Sequence, residues 1–210
     1  MIASEIEIVR ALFADKIAFP AYGESVQYTR AFLEMMEEAG VIEGRVELID
    51  GEIISKMGQK APHSITVTRL ILYLARTGVF ADDHIRGQAS VEVRQKDRVM
   101  NRPEPDVFVL RENVISGMPS TDDILLAVEI SDTTQADDFG RKAALYARSG
   151  VAEYWVVDLA KRTLTFFRKP DKSAETWGDI GTLTETDSIA PESAPNHPVL
   201  VAKILPPPVV

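Results

Sequence analysis

At 210 residues the chain suits one generous domain or one domain with appended arms, and 45% apolar with 26% charged residues excludes disorder throughout. With no cysteine, a disulfide framework, a thiolate-bound metal and a thiol nucleophile are all excluded, so any metal must sit on oxygen or histidine ligands. The net charge of −9 argues against a phosphate-backbone partner, yet residues 1–60 hold eleven acids and six bases and residues 171–210 six acids and two bases, leaving an arginine-rich, neutral middle.

The start, Met1-Ile2-Ala3-Ser4-Glu5-Ile6-Glu7, has acids where a secretory leader needs positive charge. No apolar run approaches the roughly 18 residues of a membrane span, so a cytoplasmic chain with no membrane partner is expected. Ile6, Val9, Leu12 and Phe13 fall near a helical face before Phe19-Pro20, which predicts a short helical arm over residues 1–24. That apolar face needs a cover, and a homodimer is the expected one. A second helix is capped by Thr29, carries Phe32, Leu33, Met36 and Ala39 at helical period, and ends at Gly40. Residues 45–54 read as a hairpin about Asp50-Gly51. Pro62 suits the first turn of a third helix whose buried face is Ile65, Val67, Leu70, Ile71 and Leu74.

Strands are then expected at residues 90–93, 106–110 and 124–130, the last apolar enough to lie in the middle of a sheet. Helical spacing returns in Phe139, Ala143, Tyr146 and Ala147 and stops at Gly150; strands follow at 153–157 and 164–167. Tyr154 and Trp155, between apolar neighbours, are expected to pack rather than to stack on bases. Beyond Pro170 the composition turns to Asp, Ser, Thr, Glu and Pro, which marks residues 171–210 as an acidic, Pro-rich extension with one edge strand at 199–204. Residues 25–170 form the expected core. The order of elements predicts an α/β (α+β) fold, a mixed central sheet flanked by helices.

Two acids sit at the ends of buried strands: Asp106 opens one and Glu129 nearly closes another, and antiparallel neighbours would bring these ends together. A carboxylate at the margin of an apolar strand is costly to desolvate without a positive partner. Mg2+ or Mn2+, which takes one or two protein carboxylates and keeps waters, is one such partner. Alternatively, Asp106 caps a turn after Pro105 and Glu129 pairs with an arginine. Lys142, four residues after Asp138, sits one turn into the following helix and can reach back over the strand end; a surface Asp138–Lys142 ion pair is the competing reading. His63 is either a phosphate or metal-water contact or a plain helix-start residue. The run Arg94 to Arg98, with Arg102, reads as a phosphate contact or as a solvated hairpin tip.

Pro105-Asp106 followed after 22 residues by Glu129 resembles the metal-binding core of the PD-(D/E)-x-K nuclease superfamily. Val46 to Glu52, His63, Pro105-Asp106-Val107, Val128 to Ser131, Asp138 to Lys142 and Gly150 to Asp158, in that order, resemble the Uma-two family of restriction endonucleases over residues 25–170. The resemblance implies a restriction-endonuclease-like fold and a metal-dependent endonuclease acting on DNA, with Asp106 and Glu129 holding Mg2+ or Mn2+. It also implies Glu47 as an additional metal or water ligand, against a hairpin-edge charge. Ser131 stands where the superfamily carries its motif lysine, and Lys142 is the natural substitute. The rival expectation is a catalytically silent homodimeric interaction module that keeps the fold.

Overall fold

The computed structural model describes residues 26–42, 44–56, 60–132 and 136–208. The expected arm over residues 1–24 lies outside them.

Helix α1 (Arg30–Glu38) starts where Thr29 accepts a hydrogen bond from the Phe32 amide, the side-chain cap its position predicts. Strands β1 (Val46–Ile49) and β2 (Glu52–Ser55) form the expected hairpin. Asp50 at φ 46° and Gly51 at φ 82° make a turn with two positive φ values, the geometry that matches strand twist. Helix α2 (Ala61–Arg76) begins with Pro62 in its first turn. Its buried face is His63, Thr66, Leu70 and Leu74, whereas Ile65 is exposed. Leu70 and Leu74 are buried and Val67 and Ile71 pack half-buried against the core as expected, so the face departs only at Ile65, while the polar His63 and Thr66 turn inward, His63 toward the Asp106 carboxylate.

The central sheet has six strands in the order β3-β4-β5-β6-β7-β8: β3 (Ile85–Gly87), β4 (Val107–Leu110), β5 (Ile124–Ser131), β6 (Glu153–Asp158), β7 (Thr163–Asp171) and β8 (Thr176–Leu183). All pairs are antiparallel except β5–β6. A parallel pair needs a crossover, and the segment between β5 and β6 supplies it as a π-turn (Asp137–Arg141) running into α3 (Lys142–Ser149), which Gly150 ends at φ 86°.

Period-two alternation sorts the core into two layers. Val107, Val109, Leu126, Val128, Trp155 and Val157 pack against Leu70 and Leu74 of α2, while Phe108, Leu110, Ala127, Tyr154 and Val156 pack against Ala143, Tyr146 and Ala147 of α3. Trp155 and Tyr154 are thus packing residues, as expected.

Residues 90–93 do not form a strand. Val91 and Val93 are buried, but the Val91 amide donates to the Pro103 carbonyl and the Glu92 amide to the Pro119 carbonyl, so this backbone is tied to two loops and makes only an isolated bridge at Glu92–Ser120. Alternation there reports burial into two separate clusters. The strand expected at 199–204 is reduced to β10 (Val199–Leu200), paired with β9 (Ser188–Ile189), and gives way to a turn of helix, α4 (Val201–Ile204), that buries Val201 and Ile204 on the α2 layer. Past Pro170 the chain contributes all of β8, which pairs with β7 along its length. Trp177 of β8 packs in the α3 layer and donates its indole N–H to the Ala143 carbonyl.

Candidate active site

In the β4–β5 ladder Val107 faces Val128, so one step further along each strand brings Asp106 opposite Glu129 on the α3 face of the sheet. The hairpin supplies a third carboxylate. Val46 and Leu48 pack with Leu33 of α1, and the alternate face, carrying Ile49, packs on Leu145 of α3, so Glu47 is directed at Lys142 one helical turn before Leu145. Asp106, Glu129, Glu47, Asp138 and Lys142 are each no more than 2% exposed.

Lys142 is the cationic centre of this cluster. Its Nζ lies 2.7 Å from Glu47 Oε1, 3.2 Å from Glu129 Oε1 and 3.5 Å from Asp138 Oδ1. The Asp138–Lys142 pair is therefore buried, and the alternative of a surface ion pair is corrected. The π-turn before α3 carries Asp138, the first partner, four residues ahead of the lysine. Burial alone would lower the Lys142 pKa, but Glu129, Glu47 and Asp138 outweigh it and raise it well above the ordinary lysine value, so the group stays an ammonium.

Asp106 Oδ2 accepts the Ile130 amide at 2.9 Å and stands 3.1 Å from His63 Nε2. Burial pushes its carboxyl pKa up, yet the His63 hydrogen bond, the charges of Lys56 and His63 and the Ile130 amide together hold it well below the usual range. Glu129 behaves oppositely: full burial and the neighbouring acids outweigh Lys142 and Lys56 and push its pKa up to about 8. Tyr146 of α3 donates its hydroxyl to Glu129 Oε1 at 3.1 Å. Glu47 Oε2 accepts the Glu104 amide at 3.3 Å. Ser131 Oγ and His63 Nδ1 are buried without a hydrogen-bond partner among the described residues.

All five residues singled out from the sequence, Asp106, Glu129, Lys142, Glu47 and His63, thus meet in one place. Two were missed. Tyr146 falls in the apolar helical spacing of α3, where its hydroxyl carries no signal. Lys56 follows β2, and its Nζ lies 3.4 Å from Asp106 Oδ1, 3.4 Å from Glu129 Oε2 and 3.9 Å from Glu47 Oε1. Strand phase could have found it, because Lys56 shares parity with Ile54, which packs in the Ile49 and Leu145 cluster. The basic run turns to its own acids: Arg94 pairs with Asp122, Arg98 with Glu92, Lys96 with Glu175 and Arg102 with Glu37.

Among the described residues no group of three or more His, Asp or Glu side chains is arranged to hold a metal ion. The Lys56 ammonium lies between Asp106 and Glu129 instead. The donor chemistry still fits Mg2+ or Mn2+, which accept two carboxylates with the rest of the shell from water or phosphate. Asp106 Oδ1 and Glu129 Oε2 are the oxygens that His63, Ile130, Tyr146 and Lys142 do not engage.

Among solved structures the chain is similar to a crystal structure from Anabaena variabilis ATCC 29413 described as a "putative nuclease", with a TM-score of 0.60 and 13% identity over 80% of this chain and 96% of that one. Among curated proteins none matches. The sequence profile of the Uma2 family, described as "Putative restriction endonuclease", matches residues 32–198. With that match spanning most of the chain, and a mixed sheet flanked by helices beneath it, the protein belongs to the Uma2 family of the PD-(D/E)-x-K-like nuclease superfamily.

Proposed function

We propose that the protein is a metal-dependent endonuclease that hydrolyses DNA phosphodiester bonds. The observation that carries this reading is the convergence of Asp106, Glu129, Glu47 and Lys142, from two sheet strands, a hairpin and a helix, on one buried point. When bound, Mg2+ or Mn2+ supplies Lewis-acid polarisation of the phosphoryl oxygen and a water of lowered pKa. Asp106 and Glu129 hold it, with Glu47 as an additional ligand or a water contact. Lys142, kept protonated by its carboxylates, contributes fixed positive charge to the developing transition state rather than taking a proton. His63 and the Ile130 amide orient Asp106, and Tyr146 orients Glu129. Two chains paired through residues 1–20, in the cytoplasm, complete the reading.

One observation favours the silent-module alternative: Lys56 and Lys142 already pair with Asp106, Glu129 and Glu47. A cleavage assay on plasmid and single-stranded DNA across Mg2+, Mn2+ and chelator separates the two. The nuclease reading expects metal-dependent nicking that Asp106→Asn abolishes. Absent cleavage with a normally folded wild type favours the module, and metal-independent cleavage contradicts both readings.

A further inference from the structure

We propose that Lys56 is a tethered cation that competes with the divalent ion for Asp106 and Glu129, and so sets how much metal the site requires. The inference rests on the metal-dependent reading above. Its first support is atomic. Asp106 Oδ2 is taken by the Ile130 amide and His63, and Glu129 Oε1 by Tyr146 and Lys142. The two remaining oxygens, Asp106 Oδ1 and Glu129 Oε2, are those that Lys56 contacts, each at 3.4 Å. Mg2+ needs such oxygens at about 2.1 Å, and an ammonium left against the same pair would face it at repulsive range.

The second support is the contrast between the two lysines. Lys142 is rooted in α3, is 2% exposed and is held by three carboxylates. Lys56 sits just past the end of β2 with its side chain 12% exposed, so it has solvent to withdraw into. The third is charge. Four carboxyl groups, Glu47, Asp106, Glu129 and Asp138, surround two ammoniums, and replacing the one at Lys56 with a doubly charged ion brings the cluster closer to neutrality. A lysine that yields its place in this way acts as a threshold on metal binding.

The test uses the metal-free full chain and Mn2+ alone, with bound ion read by the loss of free Mn2+ paramagnetic resonance signal and the fold read by circular dichroism. Lys56→Gln is expected to bind Mn2+ about tenfold more tightly than wild type or better, because the competing charge is gone. Lys56→Arg, which keeps the charge, is expected to bind no more tightly than wild type. Lys56→Gln combined with Asp106→Asn should lose the ion. If Lys56→Gln does not fold without metal, the proposal expects Mn2+ to fold it, and failure to fold at saturating Mn2+ overturns the proposal. Equal affinity in wild type and Lys56→Gln, both abolished by Asp106→Asn, overturns the competition while leaving the metal site standing. A folded Lys56→Gln that binds no Mn2+, or binds it regardless of Asp106, overturns both.

Discussion

Burial decides how Lys142 must be tested. A surface lysine could be removed at little cost, but this one satisfies buried carboxylates, so Lys142→Ala is expected to lower stability by about 3–5 kcal/mol as well as to slow cleavage by about two orders of magnitude or more. The two effects separate in Lys142→Met with Glu47→Gln: thermal unfolding should recover in part, because Glu47 no longer carries a charge while Glu129 and Asp138 still lose their ammonium partner, and cleavage should not recover. Recovery of both would make the lysine a packing residue. Glu129 carries a second residue-scale expectation. Its pKa rises from an unfolded value near 4.5 to about 8 in the fold, so the folded chain binds the extra proton between those limits. Its protonation therefore stabilises fully below about pH 4.5, and that stability is lost as pH rises through about 8. Urea titrations of metal-free protein across this window should show a decline that Glu129→Gln flattens, and Mn2+ binding should release a proton and strengthen toward pH 8. A Glu129→Gln slope identical to wild type contradicts this assignment.

The hairpin is the element on which the site depends, because β1 carries Glu47 and the end of β2 carries Lys56. Gly51 makes its turn possible. At φ 82° an L side chain is strained, and a Cβ there would stand 2.5 Å from Met100 Cε and 3.0 Å from Gln27 Cβ. Gly51→Ala is expected to cost about 1–3 kcal/mol in chemical denaturation, and a change under about 0.5 kcal/mol would show that the turn relaxes freely. Hairpin and caps were legible in the sequence because Asp50-Gly51 and Gly150 act through their own backbone and Thr29 through a hydroxyl that reaches an amide three residues on. The first turn of α2 was not. Counting apolar residues put Ile65 inside, whereas the helix is oriented by His63 meeting Asp106, a contact between residues 43 positions apart. The strand β8 was hidden for a related reason: Ile180 lies on the exposed side, two glycines interrupt the alternation, and Trp177 is the one buried residue in it.

Across the whole molecule, charge and assembly set how it meets a polyanion. A chain of net charge −9 whose Arg94 to Arg102 run is paired to its own acids should bind DNA weakly outside the site and with shallow salt dependence. No helix among the described residues is long and apolar enough to cross a membrane. Pairing of two chains is motivated by the apolar spacing of Ile6, Val9, Leu12 and Phe13. Light scattering is expected to report twice the 23.2 kDa chain mass, reduced to the monomer when residues 1–20 are deleted. A monomer in both proteins would end the idea.

By itself the sequence determined the helices α1, α2 and α3, the β1–β2 hairpin, the strands β4 to β7 and the acids at the strand ends, because period, caps and turn residues are local properties that each segment carries wherever it is placed. Only the tertiary structure decided what those acids meet. Lys142 turned from one half of a possible surface pair into a buried ammonium, and Lys56 from a residue after a hairpin into the partner of Asp106 and Glu129. Those outcomes depend on which faces close on each other, and the free energy of a buried charge is set by the groups that arrive around it from elsewhere in the chain.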